Sequence, residues 1–161
     1  MKKSFKTKTA YAFASWFGFG FSPIASGTVG SFMALPLAWG VYRMAGFWGI
    51  LMAAFIAFCL GWLATHEVVK YTEEDPSLVV IDEVVGQTLS FLFLPFLGIS
   101  TLSVSLLLGG FALFRFFDIV KVWPACFFDK KVHNAFGVMM DDVVAGLYAA
   151  LVLTVIYYFV R

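Results

Sequence analysis

Apolar residues along this chain come in long runs separated by short polar stretches, without the strict alternation of a half-buried strand. Val29–Met44 is the first run, closed by Arg43 and made irregular by Pro36 and Gly40. Gly46 then punctuates, and Phe47–Thr65 comes next at about the length a bilayer requires. Val84–Leu97 is apolar but short; Gly98, Ile99 and Ser100 interrupt it, and Thr101–Phe117 is apolar again. This pair predicts a third span kinked near Pro95 and a fourth after it, with a re-entrant hairpin as the alternative. Val143–Val160 predicts a fifth span ending at Arg161. The expected fold is therefore an all-α polytopic membrane protein, a bundle of about four to five membrane segments within one domain. Ahead of it, Tyr11–Phe19 carries the aromatic residues suited to headgroup depth, behind Lys2, Lys3, Lys6 and Lys8, and predicts an interfacial N-terminal helix. A basic start can also mark a signal peptide, but Gly18, Gly20, Pro23 and Gly27 interrupt the apolar stretch behind it and no cleavage site is evident.

Composition agrees with membrane residence. Hydrophobic residues make up 61% of the 161 and charged residues only 13%, about half the share of a soluble domain. Mean hydropathy is +0.91. A net charge of +1 argues against nucleic acid as a partner. Cys59 and Cys126 form no metal or redox pattern and read as packing residues.

Charge placement sharpens the picture. With the N-terminus cytoplasmic and each span crossed in turn, residues 66–83 and 115–142 share the cytoplasmic side. Every formal charge except Arg43 and Arg161 then falls there. The positive-inside rule accounts for Lys and Arg only, so acids gathered on one side point to a site.

Two acidic doublets stand out. Asp82-Glu83 and Asp141-Asp142 each precede Val-Val and a glycine within a few residues. Capping a helix start needs one Asp; two adjacent acids exceed that need, and neighbouring carboxylates repel unless a cation offsets them. Hard oxygen donors without a Cys/His cluster favour Mg²⁺, with Mn²⁺ also fitting. Arg115, Asp118 and Lys121 are spaced by three at a helix end. They read either as a snorkelling membrane end with one ion pair or as a further metal ligand or base, Asp118, flanked by two phosphate-gripping cations. Gly27-Thr28-Val29-Gly30-Ser31 opens the first span, where Thr28 and Ser31 could receive an anion at a helix start; a close-packing glycine pair explains it equally well. His66 is a candidate proton shuttle on the same side, and His133 a weaker one.

Four blocks resemble the phosphatidylglycerophosphatase A family: SPIASGTVGS at Ser22–Ser31, DPSLVVIDEVVGQ at Asp75–Gln87, FRFFDIVK with a following Trp-Pro at Phe114–Pro124, and GVMMDDVVAG at Gly137–Gly146. Val122 departs from the proline expected there, and residues 134–136 are less glycine-rich than usual. The resemblance implies an all-helical, Mg²⁺-dependent enzyme of the bacterial inner membrane, multi-pass, with its site on the cytoplasmic face. It would remove the terminal phosphate of phosphatidylglycerophosphate, a membrane lipid, within the bilayer surface. In that reading Asp82, Glu83, Asp118, Asp141 and Asp142 hold metal, Arg115 and Lys121 neutralise phosphoryl oxygens, and a carboxylate or His66 takes the proton of the attacking water. Two other classes compete. A cation transporter would place carboxylates in mid-span rather than at span ends. A lipid-phosphate alcohol transferase would carry a DGxxAR-type run, which is absent.

Overall fold

The computed structural model describes residues 5–70, 77–132 and 134–160. Lys2, Lys3, the Tyr71–Pro76 part of the polar connection, His133 and Arg161 lie outside the described residues. Six α-helices account for the fold, with no strand among the described residues: α1 Phe5–Ala14, α2 Ser26–Val69, α3 Ile81–Leu89, α4 Val104–Val120, α5 Ala125–Lys131 and α6 Ala135–Val160. Helices satisfy backbone N–H and C=O groups within their own segment, which is what long apolar runs require wherever water is excluded.

Helix α2 is continuous in hydrogen bonding but not in direction. Gly46 interrupts it with φ 51° and ψ −127°, a conformation that suits a residue without Cβ. A Cβ built on Gly49 would strike the Val41 carbonyl, an atom that a straight helix would carry about 12 Å away. Further along, Gly30 abuts Val80 and Gly61 abuts Ile81, so the two legs of α2 stand side by side at the level of adjacent residues. The run Val29–Met44, expected to be irregular at Pro36 and Gly40, is helical through both. Pro36 lies on the exposed face, so its missing N–H leaves one carbonyl short and displaces nothing in the core.

The remaining helices pack against this hairpin. Helix α3 is buried on nearly every side. After it the chain passes through a short 3₁₀ turn, Leu94–Leu97, and reaches the tip of the hairpin, where Pro95 approaches Gly46 and the Tyr42 hydroxyl donates to the Ile99 carbonyl at 2.9 Å. Helix α4 is capped by the Ser103 hydroxyl, which accepts from Leu106 N, and comes back from the tip. Helix α6 begins eight residues ahead of the expected Val143 because Asn134, not an acidic residue, caps it by accepting from Phe136 N and Gly137 N.

The N-terminal segment differs from its expectation as well. The helix covers Phe5–Ala14 rather than Tyr11–Phe19, and it docks on the bundle. Ala14 is fully buried, and its carbonyl accepts from Val80 N at 2.9 Å, two residues ahead of the first acidic doublet. Gly18 (φ 104°) turns the chain after it.

Two helices, α2 and α6, are long and apolar enough to cross a membrane. Their apolar windows are mostly exposed, with only 28% buried in each. Phe32, Trp48, Phe55, Leu63, Leu151 and Val155 are among the outward-facing side chains. Apolar side chains turned outward in this way suit association with a membrane.

Candidate active site

Helix α3 carries Asp82 and Glu83 in its first turn, where free backbone N–H groups favour anions. Neither acid is the cap residue; Val80 occupies that position without a side-chain bond. The Asp82 Oδ1 instead accepts from the next residue's N–H at 3.0 Å. Asp141 repeats this contact with Asp142 N, also at 3.0 Å, two turns inside α6. A helix start therefore does not account for Asp141-Asp142, whereas Asp82-Glu83 stands in a first turn that favours anions.

The doublets meet because α3 and α6 cross at backbone distance. A Cβ on Gly146 would strike the Gly86 carbonyl, and one on Gly86 would strike the Asp142 carbonyl and the Phe114 ring. Side chains larger than hydrogen at either position would push the helices, and the carboxylates, apart. Around this crossing lies a cavity of about 270 Å³, walled by Ser26, Asp82, Glu83, Asp118, Lys121, Phe128, Asp129, Asp141 and Asp142 among others. One oxygen from each of Asp82, Glu83 and Asp142 lies within 4.8 Å of the others. Asp118 lies against Asp142.

Cations answer some of this charge but not all of it. Arg115 pairs with Asp118 at 2.5 Å, one turn apart on α4, and donates to the Ser31 hydroxyl at 3.4 Å. It does not line the cavity. Lys121 does: it ends α4 in the left-handed region (φ 49°), which swings its ammonium off the helix face toward Asp129 and Asp141. Its bond to Asp141 is 2.8 Å. Burial pulls the Lys121 ammonium down, and its bonds to Asp129 and Asp141 more than offset this, leaving it above the ordinary lysine range. It stays charged at neutral pH.

The remaining sequence candidates separate. The GTVGS stretch serves packing: Gly27 makes room for the Glu83 carboxylate and Gly30 for Val80, while the buried Ser31 hydroxyl donates to the Gly27 carbonyl. Thr28 is half-buried and does not wall the cavity. His66 is exposed near the end of α2 and does not wall it either. Cys59 and Cys126 are free thiols. Asp129 is the functional candidate that sequence reasoning missed. It sits on α5, a seven-residue helix whose packing no periodicity reveals.

The carboxylate set suits a small divalent cation. Its donors are hard oxygens, three of them already converge, and Glu83 Oε2 is buried with no hydrogen-bond partner among the described residues. Buried carboxylates this close repel one another until a cation intervenes.

Comparison with known proteins agrees with the geometry. The family model described as Phosphatidylglycerophosphatase A matches residues 12–157. The phosphatidylglycerophosphatase A of Escherichia coli K12 is 34% identical over 142 residues, covering 83% of this chain and 75% of the relative. That of Haemophilus influenzae is 35% identical over 159 residues, covering 98% and 94%. A relative from Bacteroides thetaiotaomicron, 35% identical over 147 residues (86% and 87%), is provisionally named a phosphatidylinositol-3-phosphatase. No solved structure matches the chain.

Proposed function

The chain belongs to the phosphatidylglycerophosphatase A family, and from that premise we propose that it hydrolyses phosphatidylglycerophosphate to phosphatidylglycerol and inorganic phosphate at the cavity between α3 and α6. The carrying observation is the convergence of Asp82, Glu83 and Asp142 at one end of an apolar bundle. These three would hold Mg²⁺, with Asp118 and Asp141 beside them. A bound Mg²⁺ supplies charge neutralisation for phosphoryl oxygens and a polarised water.

The chain's own residues do the rest. Lys121 presents its ammonium to the cavity, where a phosphate oxygen would replace one of its two carboxylate partners. Arg115 acts from behind, fixing Asp118 through their ion pair. Asp118 accepts the proton of the attacking water, and that proton leaves with the glycerol oxygen as the phosphorus–oxygen bond breaks. His66 has no part in this route, because it lies outside the cavity wall.

The membrane reading rests on the same end-to-end polarity. The two legs of α2, residues 26–45 and 47–69, are each roughly 30 Å long, the thickness of the hydrocarbon core. Helices α4 and α6 add two more crossings, and α3 with its 3₁₀ turn carries the chain through the interior from the carboxylate end to the hairpin tip. The carboxylates, Lys121 and the lysines of α1 then face the cytoplasm in a bacterial inner membrane, and Arg43 lies near the opposite surface.

Phosphate release by the purified protein tests the proposal. Release from phosphatidylglycerophosphate is expected with Mg²⁺ and is expected to stop with chelator. A phosphatidylinositol phosphate serves as comparison, being expected to turn over poorly. Release that persists in chelator would sink the metal assignment, and preference for the inositol lipid would sink the substrate assignment.

A further inference from the structure

Beneath the carboxylates lies a second polar layer that this chemistry does not use. Gln87 follows Glu83 by four residues in α3, so it stands one turn deeper on the same face. It is fully buried, and neither atom of its amide has a hydrogen-bond partner among the described residues. Glu83 Oε2 and Arg115 Nε are likewise buried without a partner among the described residues, as are the Thr65 and Thr88 hydroxyls. Glu83 and Arg115 meet at the start of α2, where a Cβ on Gly27 would touch the Glu83 carboxylate and stand 3.2 Å from an Arg115 guanidinium nitrogen. Ser31, one turn further along α2, accepts from the same guanidinium. Gly27 faces Glu83 in the upper layer. Arg115 thus reaches both Gly27 and Ser31, while Gln87 lies one turn beyond Glu83 on α3.

An unpaired amide in such a place is costly, and an aliphatic side chain would fill it without that cost. The orphaned atoms nevertheless match in kind. A carboxylate oxygen accepts, an amide NH₂ donates, an amide carbonyl accepts, and a guanidinium Nε–H donates. Taken in that order they would make a chain from Glu83 through Gln87 to Arg115 in which every donor meets an acceptor.

We propose that Gln87 is a positioning residue. Its amide donates to the lower oxygen of Glu83 and accepts from Arg115, directly or through an ordered water, and so fixes which Glu83 oxygen faces the cavity. The proposal rests on Glu83 being a metal ligand. Groups that orient a ligand from behind typically control metal affinity by 10–100-fold.

The test compares wild type, Gln87→Met and Gln87→Asn in detergent, using Mn²⁺ titrated by electron paramagnetic resonance, metal-free thermal stability, and kcat and KM. Methionine keeps the length and removes both polar atoms. A purely space-filling glutamine would leave that variant as stable as wild type or more so, with Mn²⁺ affinity unmoved. The positioning role predicts the same stability but Mn²⁺ affinity about 10–100-fold weaker, a lower kcat and an unchanged lipid KM. It also predicts partial recovery of affinity in Gln87→Asn, which keeps an amide. Gln87→Leu repeats the titration should the methionine variant not fold. Wild-type Mn²⁺ affinity in the apolar variant overturns the role of Gln87 alone. Wild-type protein that binds no Mn²⁺ overturns the metal reading on which it stands.

Discussion

The two acidic doublets look alike in sequence and are held quite differently. Asp82-Glu83 opens a short helix wrapped by protein, and the Arg115 guanidinium that nears Glu83 is tied to Asp118. Asp141-Asp142 sits two turns inside the long helix α6, and its first member is answered by Lys121 while its second is not. The difference divides labour within a repeated pattern. Asp82, Glu83 and Asp142 form the converging set, and Asp141 joins that set to the cation that faces the cavity.

Substitutions can probe this division. Asp82→Asn, Glu83→Gln and Asp142→Asn should each lower phosphate release by roughly 10²–10³-fold, the scale of losing one preorganised electrostatic contact. Equal, mild losses across both doublets would erase the distinction. Gly146→Ala should come next, because its Cβ would meet the Gly86 backbone. Overpacking of this kind costs about 1–3 kcal/mol, read as a lower unfolding temperature in detergent together with reduced activity. Lys121→Met should raise KM by about tenfold, the scale of one lost charged contact, with Mn²⁺ affinity little changed. Asp141→Asn should do less than Asp142→Asn, since a neutral amide still accepts from Lys121; the ratio of the two, measured in parallel, tests the comparison most directly. His66→Ala should leave activity near wild type, as its exposed position outside the cavity implies.

Much of the fold could be read from the apolar runs, because a membrane helix needs only length and hydropathy. The reversal at Gly46 was visible as punctuation, whereas Pro36, the stronger sequence signal, broke nothing. The meeting of the doublets was legible too: paired acids exceed any capping need, and Asn134 in fact caps α6. What escaped was direction. Arg115 turns inward to Asp118 and Ser31, and Lys121 swings outward to Asp129, although spacing by three put all of them on one helical face. A residue in the left-handed region at a helix end cannot be recognised from a lysine codon. The buried glutamine was equally silent, since its meaning lies in what surrounds it.

The contact between Gly86 and Gly146 carries one more implication. Main chain sets how far apart the helix backbones that carry the facing carboxylates stand, so a wider gap has to come from side-chain rotation alone. A metal held there would meet a frame whose width the two backbones limit. That frame would accept an ion with oxygen bonds of about 2.0–2.1 Å and grip poorly one that needs about 2.3–2.6 Å and more ligands, making calcium a weak substitute however abundant it becomes.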